Sequence, residues 1–176
     1  WMRSGDFFNT HFAYHIVPTQ LDKFDNEAFN TNPMEFVAVC TDVETGKPVY
    51  KQLTEATQLT YDWIRASASM PLVSRVVHLE GYKVLDGGVA DAIPLAYAEQ
   101  SGYTKNVVVL TQPDGYQKAH NPLMPLMRLA LHKYPNMIEA MDNRHIMYNQ
   151  QLAYVKQREQ QGQCLVIRPK EKIPSG

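Results

Sequence analysis

Residues 82–94 read Tyr82-Lys-Val-Leu-Asp-Gly-Gly-Val-Ala-Asp-Ala-Ile-Pro94. Tyr82–Leu85 predicts a strand, and Asp86 leaves the end of that strand followed by Gly87 and Gly88. A strand end would hold the carboxylate on a rigid element, while two glycines permit a tight turn and a close approach of backbone or substrate. One interpretation is a functional acid at a strand end. The other is a type I′ hairpin or an Asx turn, in which the aspartate bonds only its own backbone.

Two hairpins are predicted before Asp86. The first connects the buried-strand pattern of Glu35–Thr41 to Val49–Leu53. The second connects Val76–Leu79 to Tyr82–Leu85 across a tight two-residue turn. The first thirty-five residues, by contrast, are punctuated by proline and asparagine and predict an irregular region with short helices.

A helix is predicted between the two hairpins, within Thr54–Ser69. Leu59, Trp63 and Ala66 follow one another at steps of four and three, which places them on one helical face. Thr60 is a candidate N-cap for this helix.

The chain after Pro94 follows an α/β pattern. Pro94 fits the first position of a helix that ends before Gly102. Asn106–Thr111 then contains four consecutive apolar residues, a pattern typical of a strand covered on both faces in a parallel sheet. Because helix, glycine and buried strand form the repeating unit of α/β folds, the sequence predicts this class.

The region of about residues 120–162 is predicted to be helical. Leu123–Tyr134 forms one helix, and a longer helix follows before Gly162, after which Cys164–Ile167 forms a last strand. The longer helix carries an apolar stripe on one face: Ile138, Met141, His145, Tyr148, Leu152 and Val155.

Five methionines lie in this helical region: Met124, Met127, Met137, Met141 and Met147. Methionine fills irregular cores, but it also lines adaptable apolar binding surfaces. Core packing is the first interpretation, and a cap that contacts acyl chains or a membrane is the second.

Composition excludes several classes. The 176 residues carry a net charge of -1, with 44% hydrophobic and 20% charged residues, which argues against disorder and against a broad phosphate-binding surface.

No apolar run reaches the roughly 18–20 residues of a membrane helix, and no signal peptide opens the chain. Cys40 and Cys164 cannot form a disulfide scaffold, so a cytoplasmic location is expected. No linker divides the chain, which predicts a single domain over residues 1–176.

The ordered combination of motifs resembles the patatin-like phospholipase family, and more closely its bacterial branch. Three segments carry the resemblance: Ile64-Arg-Ala-Ser-Ala-Ser-Met-Pro71, Tyr82–Pro94 and Lys105–Thr111. The strand Phe36–Thr41 with its turn Thr41-Asp-Val-Glu-Thr-Gly46 is also similar to the family. The resemblance covers most of residues 5–115, and the helical remainder only weakly.

The resemblance implies a mixed sheet flanked by helices and a serine hydrolase with a Ser–Asp dyad. Asp86 would be the dyad partner and general base, and Gly87 and Gly88 would shape its loop. The nucleophilic serine would belong to a G-x-S-x-G elbow, with an earlier glycine-rich loop stabilising the oxyanion. The substrate would be a lipid or another acyl ester, with peripheral membrane contact, and neither a cofactor nor a nucleic acid is implied.

The sequence departs from this pattern because it contains no G-x-S-x-G motif. Ser4 lacks a glycine two residues before it, and Ser67 and Ser69 lie in the small-residue segment where the family has structural serines. We therefore expect the chain to be the carboxyl-terminal portion of a catalytic domain, inactive alone. It would expose a sheet edge and self-associate. There are two alternatives. The chain could be a degenerate, non-catalytic module that binds lipid or protein. Or the nucleophile could be supplied by another chain or by a segment that was removed.

Several histidines are interpreted as structural. His11 and His15 have a metal-ligand spacing if helical, but no third ligand lies nearby in the sequence. His145 lies on the apolar helix stripe and is predicted to be a core residue. His78 is predicted to be exposed on a hairpin strand.

Three further residues were considered as functional groups beside Asp86. Cys40 ends a buried-strand pattern and is predicted to be a small core residue, and Asp42 is predicted to form a turn. Asp91 is the carboxylate that competes with Asp86. Asp86 is preferred because Gly87 and Gly88 free its surroundings.

Overall fold

The computed structural model describes residue 9 and residues 11–172. Five α-helices and six strands are mixed along them, which confirms the α/β class. A π-helix at Phe12–Leu21 precedes them. The helices are α1 (Asn26–Thr31), α2 (Gln58–Ser67), α3 (Leu95–Gln100), α4 (Met124–Ala130) and α5 (Pro135–Gln160). The strands are β1 (Phe36–Asp42), β2 (Pro48–Leu53), β3 (Val77–Leu79), β4 (Tyr82–Asp86), β5 (Asn106–Val109) and β6 (Cys164–Ile167).

The chain forms two compact units. The first comprises the chain up to Asp91 together with Pro122–Asp142, and the second comprises Ala92–Asn121 together with the residues from Asn143 onward. Across residues 11–172, no helix combines the length and apolarity needed to cross a bilayer.

The first unit contains a four-stranded antiparallel sheet in the order β2-β1-β4-β3. Both predicted hairpins are present, and the second turns at Glu80 and Gly81, which have φ values of 46° and 86°. Positive φ at both central residues is the signature of a type I′ turn, whose twist matches that of the paired strands.

Each face of this sheet carries its own core. Successive residues of a strand point to opposite faces, so Val84 packs with Trp63 and Ala66 of α2. Its neighbour Leu85 belongs to the cluster on the other face, which is built largely from methionine. That cluster contains Val43, Leu85, Val89, Met124, Met127, Leu131, Met137 and Met141. Burial of four of the five methionines confirms the core interpretation for those four, whereas Met147 is half-buried.

Three details of the predicted helices in this unit are wrong. Thr57, not Thr60, is the N-cap of α2, because Thr60 lies one turn inside the helix, buried, with its hydroxyl donating to the Glu55 carbonyl oxygen at 2.5 Å. Leu59 is 40% exposed and does not share the buried face of Trp63. The helix predicted over Leu123–Tyr134 ends as α4 at Ala130.

The second unit contains the parallel pair β5–β6. Leu95 of α3 and Val155 of α5 pack on one face of this pair, together with Val108. The prediction that the β5 segment is covered on both faces is wrong within the described residues, since Val107 and Val109 are 61% and 70% exposed. Pro94 is the N-cap of α3, not its first residue, and Gly102 ends that helix with a φ of 97° as predicted.

Candidate functional site

Asp86 is the last residue of β4, and its backbone is fixed on both sides. It lies opposite Cys40 of β1 in the antiparallel register. Its N–H donates to the carbonyl oxygen of Ser69 at 2.9 Å, and its own carbonyl oxygen accepts from the Thr41 hydroxyl at 2.8 Å. Because buried backbone groups need partners, these bonds leave the residue little freedom to move.

The Asp86 carboxylate forms the Asx turn that the sequence left open as one interpretation. Its Oδ1 accepts a hydrogen bond of 2.7 Å from the Gly88 N–H, and the side chain is half-buried. Among residues 11–172, this backbone amide is the group that donates to the carboxylate at Oδ1. The turn therefore orients the carboxylate on a rigid strand end, so the two interpretations are compatible.

Gly87 starts a short 3₁₀ turn, Gly87–Val89, that packs directly on β1. A Cβ at this position would lie 2.1 Å from the Val39 carbonyl oxygen and 2.5 Å from its carbonyl carbon. No side chain fits against a backbone at that distance. The close approach of backbone that the sequence predicted for this glycine is thus a steric requirement for bringing the end of β4 against β1.

Asp91 lies in the same turn region but is engaged in the core. Its N–H donates to the Gly87 carbonyl oxygen at 2.9 Å, and its Oδ2 accepts a 2.5 Å hydrogen bond from the Tyr50 hydroxyl. The residue is buried. This carboxylate therefore ties β2 to the Asp86 turn, a role that suits a structural group better than a base that must meet substrate.

Cys40, beside Asp86, is fully buried as predicted. Burial and, to a smaller extent, the negative charge of Asp86 raise the pKa of its thiol to about 12. A thiol in this state is a core group and a poor nucleophile.

The serines of the small-residue segment bond to the main chain. The Ser67 hydroxyl donates to the Val39 carbonyl oxygen at 2.6 Å, and the Ser69 hydroxyl donates to the Arg65 carbonyl oxygen at 2.8 Å. Both hydroxyl protons are thereby used in holding α2 and the loop after it, as expected of structural serines. Ser4 lies outside the described residues.

The remaining aspartate and histidine candidates show no arrangement typical of a catalytic or metal site within the described residues. Asp42 Oδ1 accepts from the Glu44 N–H at 2.9 Å, which is the predicted turn, and His78 is exposed. His11 and His15 stack at a centroid distance of 5.1 Å. In the described part of the chain, no group of three or more histidine, cysteine, aspartate or glutamate side chains is placed to hold a metal ion.

His145 differs from its prediction as a core residue. It is half-buried and meets the ring of His120 edge to face at 5.1 Å, both in the second unit. The apolar stripe of α5 is thus interrupted at this residue by an aromatic contact close to the surface.

Comparison with known families decides the assignment. Residues 1–99 match the family model described as patatin-like phospholipase. The chain belongs to the patatin-like phospholipase family. Asp86, Gly87 and Gly88 lie inside the matched region, as do all four strands of the antiparallel sheet. Membership places the chain in a family of lipid hydrolases.

The carboxyl-terminal part of this patatin-like chain matches a different model. Residues 134–176 match a domain of unknown function, DUF6363. This match includes all of α5 and the strand β6. No curated protein matches the chain.

Sequence reasoning missed two residues of the site. Thr41 is fully buried and connects the Asp86 carbonyl oxygen to the Ala90 N–H, from which its hydroxyl accepts a 3.1 Å bond. Tyr50 reaches Asp91 from β2. Both contacts join residues more than forty positions apart, so no local pattern could reveal them. The signal for Thr41 was a polar residue that directly follows the apolar run of β1.

Proposed function

We propose that this chain is part of a lipid acyl hydrolase in which Asp86 is the partner and general base of a serine in a Ser–Asp dyad. The nucleophilic serine is supplied from sequence outside these 176 residues, which contain no G-x-S-x-G motif. Acyl transfer to that serine forms an acyl-enzyme, which water then hydrolyses.

The observation that carries this proposal is the way Asp86 is held. Three hydrogen bonds fix it, with the Ser69 carbonyl, the Thr41 hydroxyl and the Gly88 N–H as partners. A general base needs a fixed position within hydrogen-bond reach of the proton it accepts. A half-buried carboxylate anchored at Oδ1 meets that requirement, whereas the Asp91 carboxylate is bonded to the Tyr50 hydroxyl.

The test compares two carboxylates in the longer polypeptide that carries an upstream G-x-S-x-G. We expect Asp86→Asn to lower turnover of a short-chain nitrophenyl ester by about 100-fold or more, in line with the loss of a general base. Asp91→Asn should keep turnover within a few-fold once its folding is confirmed by circular dichroism. Loss of activity in Asp91→Asn but not in Asp86→Asn would refute the assignment.

The chain of 176 residues alone should neither hydrolyse the ester nor react with a fluorophosphonate, because both need an activated serine. Turnover by this chain, abolished by Asp86→Ala, would show that the nucleophile lies within it. The rival function is a non-catalytic module that binds lipid or protein on the same scaffold. It is favoured if the longer polypeptide contains no G-x-S-x-G and fluorophosphonate fails to label it.

A further inference from the structure

A groove of about 590 Å³ lies in the first unit, between α1 and the strand ends at which Phe36 of β1 pairs with Leu53 of β2. Its apolar lining includes three phenylalanines and a methionine. Of these, Phe24, Met34 and Phe36 are 40%, 77% and 43% exposed. Ligand sites in proteins are concave, largely apolar and of this size. The groove is therefore a candidate binding surface.

Hydrogen bonds hold the walls of this groove in place. Asn30 Oδ1 accepts from the Ala56 N–H at 2.7 Å, which ties α1 to the loop after β2. The Tyr61 hydroxyl donates to Asn26 Oδ1 at 2.8 Å, which ties α1 to α2. Phe29 packs against the buried cluster on the α2 side of the sheet. The groove is thus preformed, and a partner that enters it avoids much of the cost of ordering the wall.

The charges at the groove are predominantly negative. Asp25 and Glu35 line it, and none of its described lining residues is lysine, arginine or histidine. Residues 22–35, which form most of the lining, contain four acidic side chains and one basic side chain. On the opposite wall, the basic residue of β2 is Lys51, and it pairs with Glu80 at 2.6 Å. An acidic rim of this kind favours a cationic partner and disfavours anionic lipid.

An apolar groove with an acidic rim is complementary to an amphipathic segment that carries both apolar and basic side chains. Methionine adapts to apolar groups of different shapes, and helix-in-groove recognition uses this kind of pairing. The groove is also separate from the candidate site. Phe36 precedes Cys40, the residue opposite Asp86, by four positions along β1, a distance of about 13 Å in a strand.

We propose that this groove docks a basic amphipathic segment of a partner protein. The apolar side chains of that segment enter beside Phe24, Met34 and Phe36, and its lysines or arginines face Asp25 and Glu35. Docking goes beyond the proposed hydrolase function and needs no serine nucleophile. It is therefore measured independently of catalysis.

The experiment titrates the 176-residue chain into three fluorescein-labelled helical peptides and follows their fluorescence anisotropy. The first peptide combines leucine and lysine at the spacing of an amphipathic helix. The second has glutamate in place of lysine, and the third has alanine in place of leucine. We expect the leucine–lysine peptide to bind, and the other two to bind at least about tenfold more weakly, because each lacks one half of the complementarity.

Two variants with matched controls locate the binding surface. Met34→Ser should weaken binding of the leucine–lysine peptide about fivefold through loss of an apolar contact. Leu129→Ser changes a leucine of the same unit that is 73% exposed and should have no effect. Glu35→Lys should weaken binding at least about tenfold by placing like charges together. Glu139→Lys, an equal change at another exposed glutamate of this unit, should bind like the wild type.

Circular dichroism of each variant checks its fold, and light scattering without peptide measures its oligomeric state. Four results overturn the proposal. They are failure of the leucine–lysine peptide to bind, equal binding of the leucine–glutamate peptide, and a loss of binding in Leu129→Ser but not in Met34→Ser. The fourth is dissociation of a self-associated chain by Met34→Ser, which would assign the groove to a second copy. None of these results concerns esterase activity, so the dyad proposal is tested separately.

Discussion

The hydroxyl of Thr41 donates to the carbonyl oxygen of Asp86 at 2.8 Å and accepts from the N–H of Ala90 at 3.1 Å. One buried side chain near the end of β1 thus spans the start and the end of the turn that carries the candidate base. The turn is held both by hydrogen bonds among its own residues and by a neighbouring strand that lies forty-five positions earlier.

Replacing Thr41 by valine removes both hydrogen bonds while keeping the side-chain shape. We expect Thr41→Val to lower the free energy of unfolding by about 1–3 kcal/mol, because a buried carbonyl and a buried N–H lose their partner. Thr41→Ser keeps the hydroxyl and should lose less. Urea denaturation followed by circular dichroism measures both, and equal losses would contradict the hydrogen-bond explanation.

Gly87 should tolerate no side chain. A Cβ would overlap the Val39 backbone at 2.1 Å, and backbone cannot rotate away as a side chain can, so Gly87→Ala should cost about 3 kcal/mol or more. Gly81→Ala is the control, since Gly81 has a φ of 86° and open space around it. It should cost about 1–2 kcal/mol from its left-handed backbone alone. The two variants are compared by their chemical denaturation midpoints. A smaller loss of stability for Gly87→Ala than for Gly81→Ala would be inconsistent with the packing described.

Tyr50→Phe tests the contact that ties β2 to the Asp86 turn. Loss of the hydroxyl deprives the buried Asp91 carboxylate of a donor at 2.5 Å, so we expect a loss of about 1–3 kcal/mol in the free energy of unfolding. Tyr82→Phe removes the hydroxyl of an exposed tyrosine in the same sheet and should change stability by less than about 0.5 kcal/mol. Similar losses in the two variants would argue against the contact.

The buried thiol of Cys40 should make the free energy of unfolding depend on pH. Its pKa is raised from 9.0 to about 12 in the folded chain, so above pH 9 the unfolded chain releases the thiol proton while the folded chain keeps it. The stabilisation from this group is complete below pH 9 and is lost as the pH rises toward 12. Per pH unit above 9, the stability of the wild type relative to Cys40→Ala should fall by about 1.4 kcal/mol. A difference that stays constant from pH 7 to 10.5, measured by urea denaturation, would show that the thiol ionises freely when folded.

Local patterns were sufficient for the strands and for the turn at Asp86. The alternation of apolar residues and the turn residues identified both hairpins, and Gly87 is one of the two glycines at which the sequence predicted a close approach of backbone or substrate. The errors arise where tertiary contacts decide. Thr60 has the chemistry of a cap, but the packing of α2 places it inside the helix, where its hydroxyl bonds Glu55. The apolar run at Val107 and Val109 has the composition of a fully covered strand, yet the described residues cover one face only. Thr41 and Tyr50 act across strands, so their roles depend on the sheet order.

The register of β1 with β4 limits how related sequences can vary. Side chains alternate between the two faces of a strand, so deleting one residue between Val84 and Asp86 would turn the carboxylate to the opposite face of the sheet. The β3–β4 turn at Glu80-Gly81 lies at the far end of the same strand, where added residues leave the pairing of Cys40 with Asp86 unchanged. Insertions, tags or a reporter peptide are therefore best placed at that hairpin, whereas the length of β4 itself must be preserved.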